Sequence, residues 1–142
     1  MCVKKIGSQT IKYTNCLLQP FSMLAARLYI ANIFWKSGLV KIADMETTFL
    51  LFENEYAVPY IPFQITAYMA TAFELICPIL LLAGFATRLA AVPLFAMAVV
   101  IQLTVIQHES HFFWMLLTAL IFTHGPGALS LDALIKKRCY KP

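Results

Sequence analysis

Four apolar stretches occupy most of this chain and limit what it can become. They run over residues 17–40, 63–85, 89–106 and 112–129. A helix needs about 20 residues to cross the hydrocarbon core of a bilayer, and the first three stretches reach that length. The fourth is clean only to Phe122 before it meets His124-Gly125-Pro126-Gly127, so it either continues kinked or ends early at an interface. Composition decides between membrane spans and a soluble core. Of 142 residues, 61% are hydrophobic and 13% charged, with a mean hydropathy of +0.75. A soluble domain carries about a quarter charged residues, and so few charges would not cover this much apolar surface. Disorder needs the opposite composition. The chain therefore reads as one all-α integral membrane domain over residues 1–142, a four-transmembrane-helix bundle with a short interfacial helix at 130–138.

The net charge of +4 invites a nucleic-acid reading, which the distribution of cations excludes. They form no stripe with interleaved aromatics; they sit at the ends of apolar segments. With both termini in the cytoplasm, Lys4, Lys5, Lys12, Arg88, Lys136, Lys137, Arg138 and Lys141 lie inside. The longest loop, 41–62, then faces out, setting Asp44, Glu46, Glu53 and Glu55 against Lys41. Trp35, Tyr56, Tyr60, Phe63, Phe112, Phe113 and Trp114 form an aromatic belt at that outer surface. Within the loop, residues 47–52 suit a short surface helix, and Pro59 and Pro62 stop it. The first stretch is too long for a signal-peptide core, contains Arg27 and lacks a small-x-small cleavage site, so it is expected to stay as a span. Ser130 is the expected N-cap of the last helix, with Asp132 in its first turn. Cys2, Cys16, Cys77 and Cys139 form no CxxC pair and are expected to be free thiols.

The informative residues are the charges at membrane depth, where each is costly and usually finds a partner inside the bundle. Arg27 and Glu74 each lie about eleven positions from an end of their stretch, so antiparallel neighbours would bring both near the midplane. They are expected to pair. Pro78 frees the Glu74 carbonyl four residues earlier, and Thr71 and Cys77 share the Glu74 face. Asn32, Lys36 and His124 complete the candidate set. Two readings stay open: an ion pair that orients two helices, or a ligand or proton site built around it. Cys77, buried in apolar surroundings, suits packing more than redox chemistry. His108, Glu109 and His111 have spacings a metal could use, but nothing else in the sequence completes a site. Haem bridged by His111 and His124 fails on distance, since thirteen helical residues separate them by roughly 20 Å. No nucleophile motif or phosphate loop is present.

Several segments resemble the DoxX family of small bacterial membrane proteins. They are Arg27-Leu28 leading to Phe34-Trp35-Lys36-Ser37-Gly38-x-x-Lys41, then Phe52-x-x-Glu55-Tyr56-x-Val58-Pro59. The run Glu74-Leu75-x-x-Pro78-x-Leu80-Leu81-Leu82-x-Gly84-x-x-Thr87-Arg88 follows, and His124-Gly125-Pro126-Gly127-x-x-Ser130-x-Asp132 closes the set. The resemblance covers residues 20–135. It implies a four-helix membrane bundle with cytoplasmic termini, associated with redox systems such as quinol oxidases and thiosulfate-to-quinone electron transfer. The positions matching its polar pattern are Arg27, Trp35, Lys36, Gly38, Lys41, Glu74 and Arg88.

On these grounds the expected role is a non-catalytic accessory subunit of a membrane redox assembly, binding quinone or lipid near Arg27 and Glu74. It would act as a homo-oligomer or as part of a larger complex. No resident cofactor is evident in the sequence, and quinone is the one to which the resemblance points. The rivals are a sulfur- or thiol-to-quinone oxidoreductase subunit with its own activity, and a small transporter in which Glu74 carries the proton.

Overall fold

The structure is a computed structural model that describes residues 2–56, 61–104 and 109–139, with side chains from residue 18 onward except Glu109 and Cys139. The side chains of Lys4, Lys5, Lys12, Cys2, Cys16 and Cys139 lie outside the described set, as do Pro59, Tyr60, His108 and Lys141. Every described element is helical. Helix α1 runs over Cys2–Ala43, α2 over Met45–Leu51, a π-helical turn over Phe52–Tyr56, and α3 over Phe63–Ala83. Then follow α4 (Thr87–Thr104), α5 (Glu109–His124) and α6 (Leu131–Cys139).

Among the described residues two helices, α3 and α4, are long and apolar enough to cross a membrane; the apolar part of α5, Ser110–His124, is shorter. A core helix of a soluble protein would bury most of such a surface. Here only 39% of the apolar window in α3 and 28% of that in α4 is buried. Leu, Ile, Val and Phe side chains on several helices point outward instead, among them Leu89, Leu103 and Val40.

What does face inward follows helical spacing. On α1 the buried positions include Met23, Arg27, Ile30, Phe34, Gly38 and Lys41, which form one stripe with steps of three and four, flanked by Ala26 and Ala31. On α3 they are Ala67, Thr71, Glu74, Cys77, Pro78 and Leu81. α1 packs on α3, α3 on α4 and α4 on α5, which also touches α1. The small residues Ala31, Ala90, Ala91 and Ala98 line these contacts together with Ile30, Phe34, Leu81, Leu94 and Ile121. Close backbone approach through such small residues, rather than exclusion of water, holds apolar helices together in lipid.

The ends are defined by specific caps. The Asp44 carboxylate accepts from the Thr47 N–H at 3.0 Å and from the Thr47 hydroxyl at 2.6 Å, starting α2. These two bonds hold the Asp44 carboxyl below its usual range. α3 ends at Gly84, whose φ of +67° suits the left-handed C-terminal position. α5 stops at His124, where Gly125 and Gly127 both have positive φ, instead of continuing kinked through Pro126. The Ser130 hydroxyl accepts from the Ala133 N–H at 3.1 Å and so caps α6.

The register of α1 against α3 controls everything described below. A side chain on Gly38 would meet Leu75 and Glu74 at 2.9–3.1 Å, so the two backbones approach closely there. Eleven residues earlier, about 16 Å along α1, Arg27 lies beside Gly84 at the far end of α3. Arg27 is therefore level with the end of α3, while Lys41 is level with its middle.

Candidate functional site

This register overturns the expected Arg27–Glu74 pair. Glu74, 2% exposed, pairs with Lys41: the Nζ atom donates to Oε1 at 2.9 Å and to Oε2 at 2.8 Å. It also donates to the Ser37 hydroxyl at 2.7 Å, one turn back on α1. The physical reason is the length of α1. Its helix continues to Ala43, past the end of the apolar stretch, so Lys41 stays on the buried stripe and reaches Glu74 first. In the sequence Lys41 looked like the lone cation of an acidic loop.

Arg27, 1% exposed, does different work. Its Nη1 donates to the carbonyls of Pro126 at 2.5 Å and Leu129 at 3.1 Å, fixing the segment that links α5 to α6. Asp132 braces the same junction. Its carboxylate accepts from the N–H groups of Ala86 at 2.9 Å and Thr87 at 3.1 Å, capping α4, while its own N–H donates to Gly84 O at 3.0 Å. Gly84 is needed here because a Cβ would lie 2.7 Å from that of Ser130.

The remaining candidates scatter. Thr71 turns its hydroxyl back to Ala67 O at 2.8 Å. Cys77 is a buried free thiol among the core residues. Asn32 and Lys36 are exposed, Asn32 in a shallow groove with Trp35. His124 is exposed, with Nδ1 3.1 Å from the Thr123 hydroxyl. His111 stacks edge-on against Trp114, with ring centroids 4.9 Å apart. Among the described residues no three potential ligands gather to hold a metal.

The Lys41–Glu74 pair forms one side of a cavity of about 370 Å³. Ala70 and Phe73 of α3 and Pro93, Ala96 and Met97 of α4 supply its apolar walls. Phe52 and Tyr56 of the π-helical turn close the end nearest α2, with rings packed edge-to-face at 4.8 Å. Burial, followed by the nearby negative charges of Glu74 and Glu55, pushes the Tyr56 phenol above its ordinary range, so it stays a neutral O–H. Thr66 also lines the space, but its hydroxyl donates to Phe63 O at 2.9 Å. The site is thus an apolar pocket with a neutralised charge pair and one phenol.

Sequence reasoning missed Lys41, Ser37, Tyr56 and Asp132 as site or bracing residues. For Lys41 a signal existed: residues 27, 31, 34, 38 and 41 repeat at helical spacing and place it on the face of Arg27. Asp132 contacts positions 45 and 46 residues away, which no local pattern reports.

Apolar helices turned outward and a few charges satisfied inside are the construction of a membrane protein. The chain belongs to the DoxX family, whose model matches residues 22–107, a stretch that includes Arg27, Lys41, Glu74 and Arg88. It is also similar to an uncharacterized protein of Haemophilus influenzae, 30% identical over 128 residues, a match covering 82% of this chain and 84% of the relative. No solved structure matches.

Proposed function

We propose that this DoxX-family protein crosses the bacterial inner membrane four times through α1, α3, α4 and α5, with both termini in the cytoplasm. In this reading it holds a lipophilic molecule in the cavity beside Lys41 and Glu74. It acts as a non-catalytic accessory subunit of a membrane redox assembly, alone or as a homo-oligomer. The orientation rests on the cations at the α6 end, Lys136, Lys137 and Arg138, against the acids Glu46, Glu53 and Glu55 at the other. The observation that carries the binding role is an apolar cavity of about 370 Å³ with a buried ion pair in its wall. Mostly apolar pockets of 300–1,000 Å³ with a few convergent polar groups are typical of small-molecule sites. The redox association is the part that family resemblance supplies, and it makes quinone the first molecule to look for.

The test is to extract the protein from its native membrane in polymer-bounded lipid discs and to analyse the organic extract by mass spectrometry. Wild type should carry a lipophile in near-stoichiometric amount, and Ala96→Trp, which fills the cavity, should lose it. An extract holding only bulk lipid, or one unchanged by the filling variant, refutes the binding role. Proteins co-purifying in the same discs test the accessory role; isolation of the chain with no redox partner refutes it.

A further inference from the structure

The hydrogen-bond accounting of the cavity narrows what can occupy it, and this step rests on the binding role just proposed. An ammonium has three N–H donors. Those of Lys41 go to Ser37 and to the two oxygens of Glu74, so none is left for a ligand. Thr66 spends its hydroxyl proton on a helix carbonyl. Glu74 is in a different position. A carboxylate has about four acceptor sites; Lys41 takes two, and Glu74 lines the cavity, leaving capacity at its wall. Tyr56 lines the same space, and its burial keeps the phenol a neutral O–H. The cavity therefore offers a strong unfilled acceptor and one neutral phenol, within walls that are otherwise apolar.

We propose that the ligand is an uncharged lipophile bearing a hydroxyl group, which donates to the Glu74 carboxylate and exchanges a second hydrogen bond with Tyr56. An acid is disfavoured because Lys41, the one cation among the described lining residues, is already neutralised and has no free donor. An amine is disfavoured because the carboxylate is already charge-balanced. A molecule with carbonyls alone brings acceptors to an acceptor. Of a quinone and its quinol, the site selects the quinol.

Three probes of matched shape separate these cases: para-octylphenol, its methyl ether para-octylanisole, and para-octylbenzoate. Their binding to the full chain in nanodiscs would be measured by competition against a fluorescent alkylphenol. A hydrogen bond to a charged acceptor predicts that the phenol binds roughly tenfold tighter than the anisole. The benzoate should be weaker than the phenol. Tyr56→Phe leaves the ion pair intact and should weaken the phenol a few-fold, while Glu74→Gln should shrink the phenol-to-anisole ratio. Equal binding of phenol and anisole, with both lost in Ala96→Trp, overturns the hydroxyl selection but leaves the cavity reading standing. Tightest binding by the benzoate overturns the selection as well. Binding of no probe, or probe binding indifferent to Ala96→Trp, overturns both. Wild type alone supplies the decisive comparison, so a variant that fails to fold does not obscure the result.

Discussion

Among the described residues two buried cations lie about 21 Å apart on the same stripe of α1 and are met in opposite ways. Lys41 meets a carboxylate, and the pair it makes with Glu74 borders a cavity. Arg27 meets backbone carbonyls at the foot of α3 and borders tightly packed glycines, where even a Cβ on Gly84 would collide with Ser130. The first arrangement leaves acceptor capacity next to empty space, whereas the second turns Nη1 to closing a chain reversal and leaves Nε buried without a partner among the described residues. Identical costs of burying charge are thus met once by a site and once by a clasp. Placement relative to the packing, not residue type, separates the two.

The sharpest way to break this comparison is to remove one member of the ion pair. Glu74→Ala or Lys41→Ala leaves an uncompensated buried charge and should cost about 3–5 kcal/mol, whereas the apolar double variant Lys41→Met with Glu74→Leu should recover most of that loss. Unfolding in mild detergent reads all three, and a double variant as unstable as the sum of its parts would show that the two residues do not interact. Combining Glu74→Ala with Arg27→Met should instead give additive losses within about 0.5 kcal/mol, because no contact joins them.

Arg27→Met alone removes two charge-assisted hydrogen bonds and should cost about 2–3 kcal/mol. The clasp reading predicts where the loss appears. Hydrogen exchange should rise over 125–139 and stay low around Glu74, and a uniform increase would argue that Arg27 supports the whole bundle. Asp132→Ala removes the cap of α4 from a neighbouring element and should cost about 1 kcal/mol. Faster exchange at Ala86 and Thr87 is the local signature.

The smallest effect sharpens the site side of the comparison through pH. The folded protein raises the Tyr56 phenol above its ordinary value of 10.0. The folded state then holds that proton more tightly than the unfolded one, so the contribution to stability is whole below about pH 10 and declines as pH climbs through the folded value. Wild type should lose melting temperature faster than Tyr56→Phe above about pH 10. Parallel curves would mean that the phenol is not buried at the cavity end.

Much of the helical architecture was readable because hydropathy is a local property. The apolar run from Phe63 ends at Ala83 as a helix against an expected 85, and the breakers after His124 stop α5 where the sequence offered two outcomes. The individual importance of Glu74 and Arg27 was readable too, since a charge inside an apolar run must be satisfied. Their partners were not. Arg27 is central in its own apolar stretch, whereas α1 is a helix of 42 residues whose packing on α3 is set by the close approach at Gly38. That register moves Arg27 to the end of α3 and brings Lys41 to its middle.

By itself, then, the sequence determined that the chain is helical, that its apolar surface seeks lipid and that a few charges must be answered inside it. These follow from side-chain chemistry and spacing, which each segment carries alone. Only the tertiary structure decided which charge answers which, that a cavity opens beside Glu74, and that Asp132 caps a helix 45 residues away. Those depend on the axial offset between packed helices, and sliding one helix by a single turn, about 5.4 Å, exchanges every partner along it.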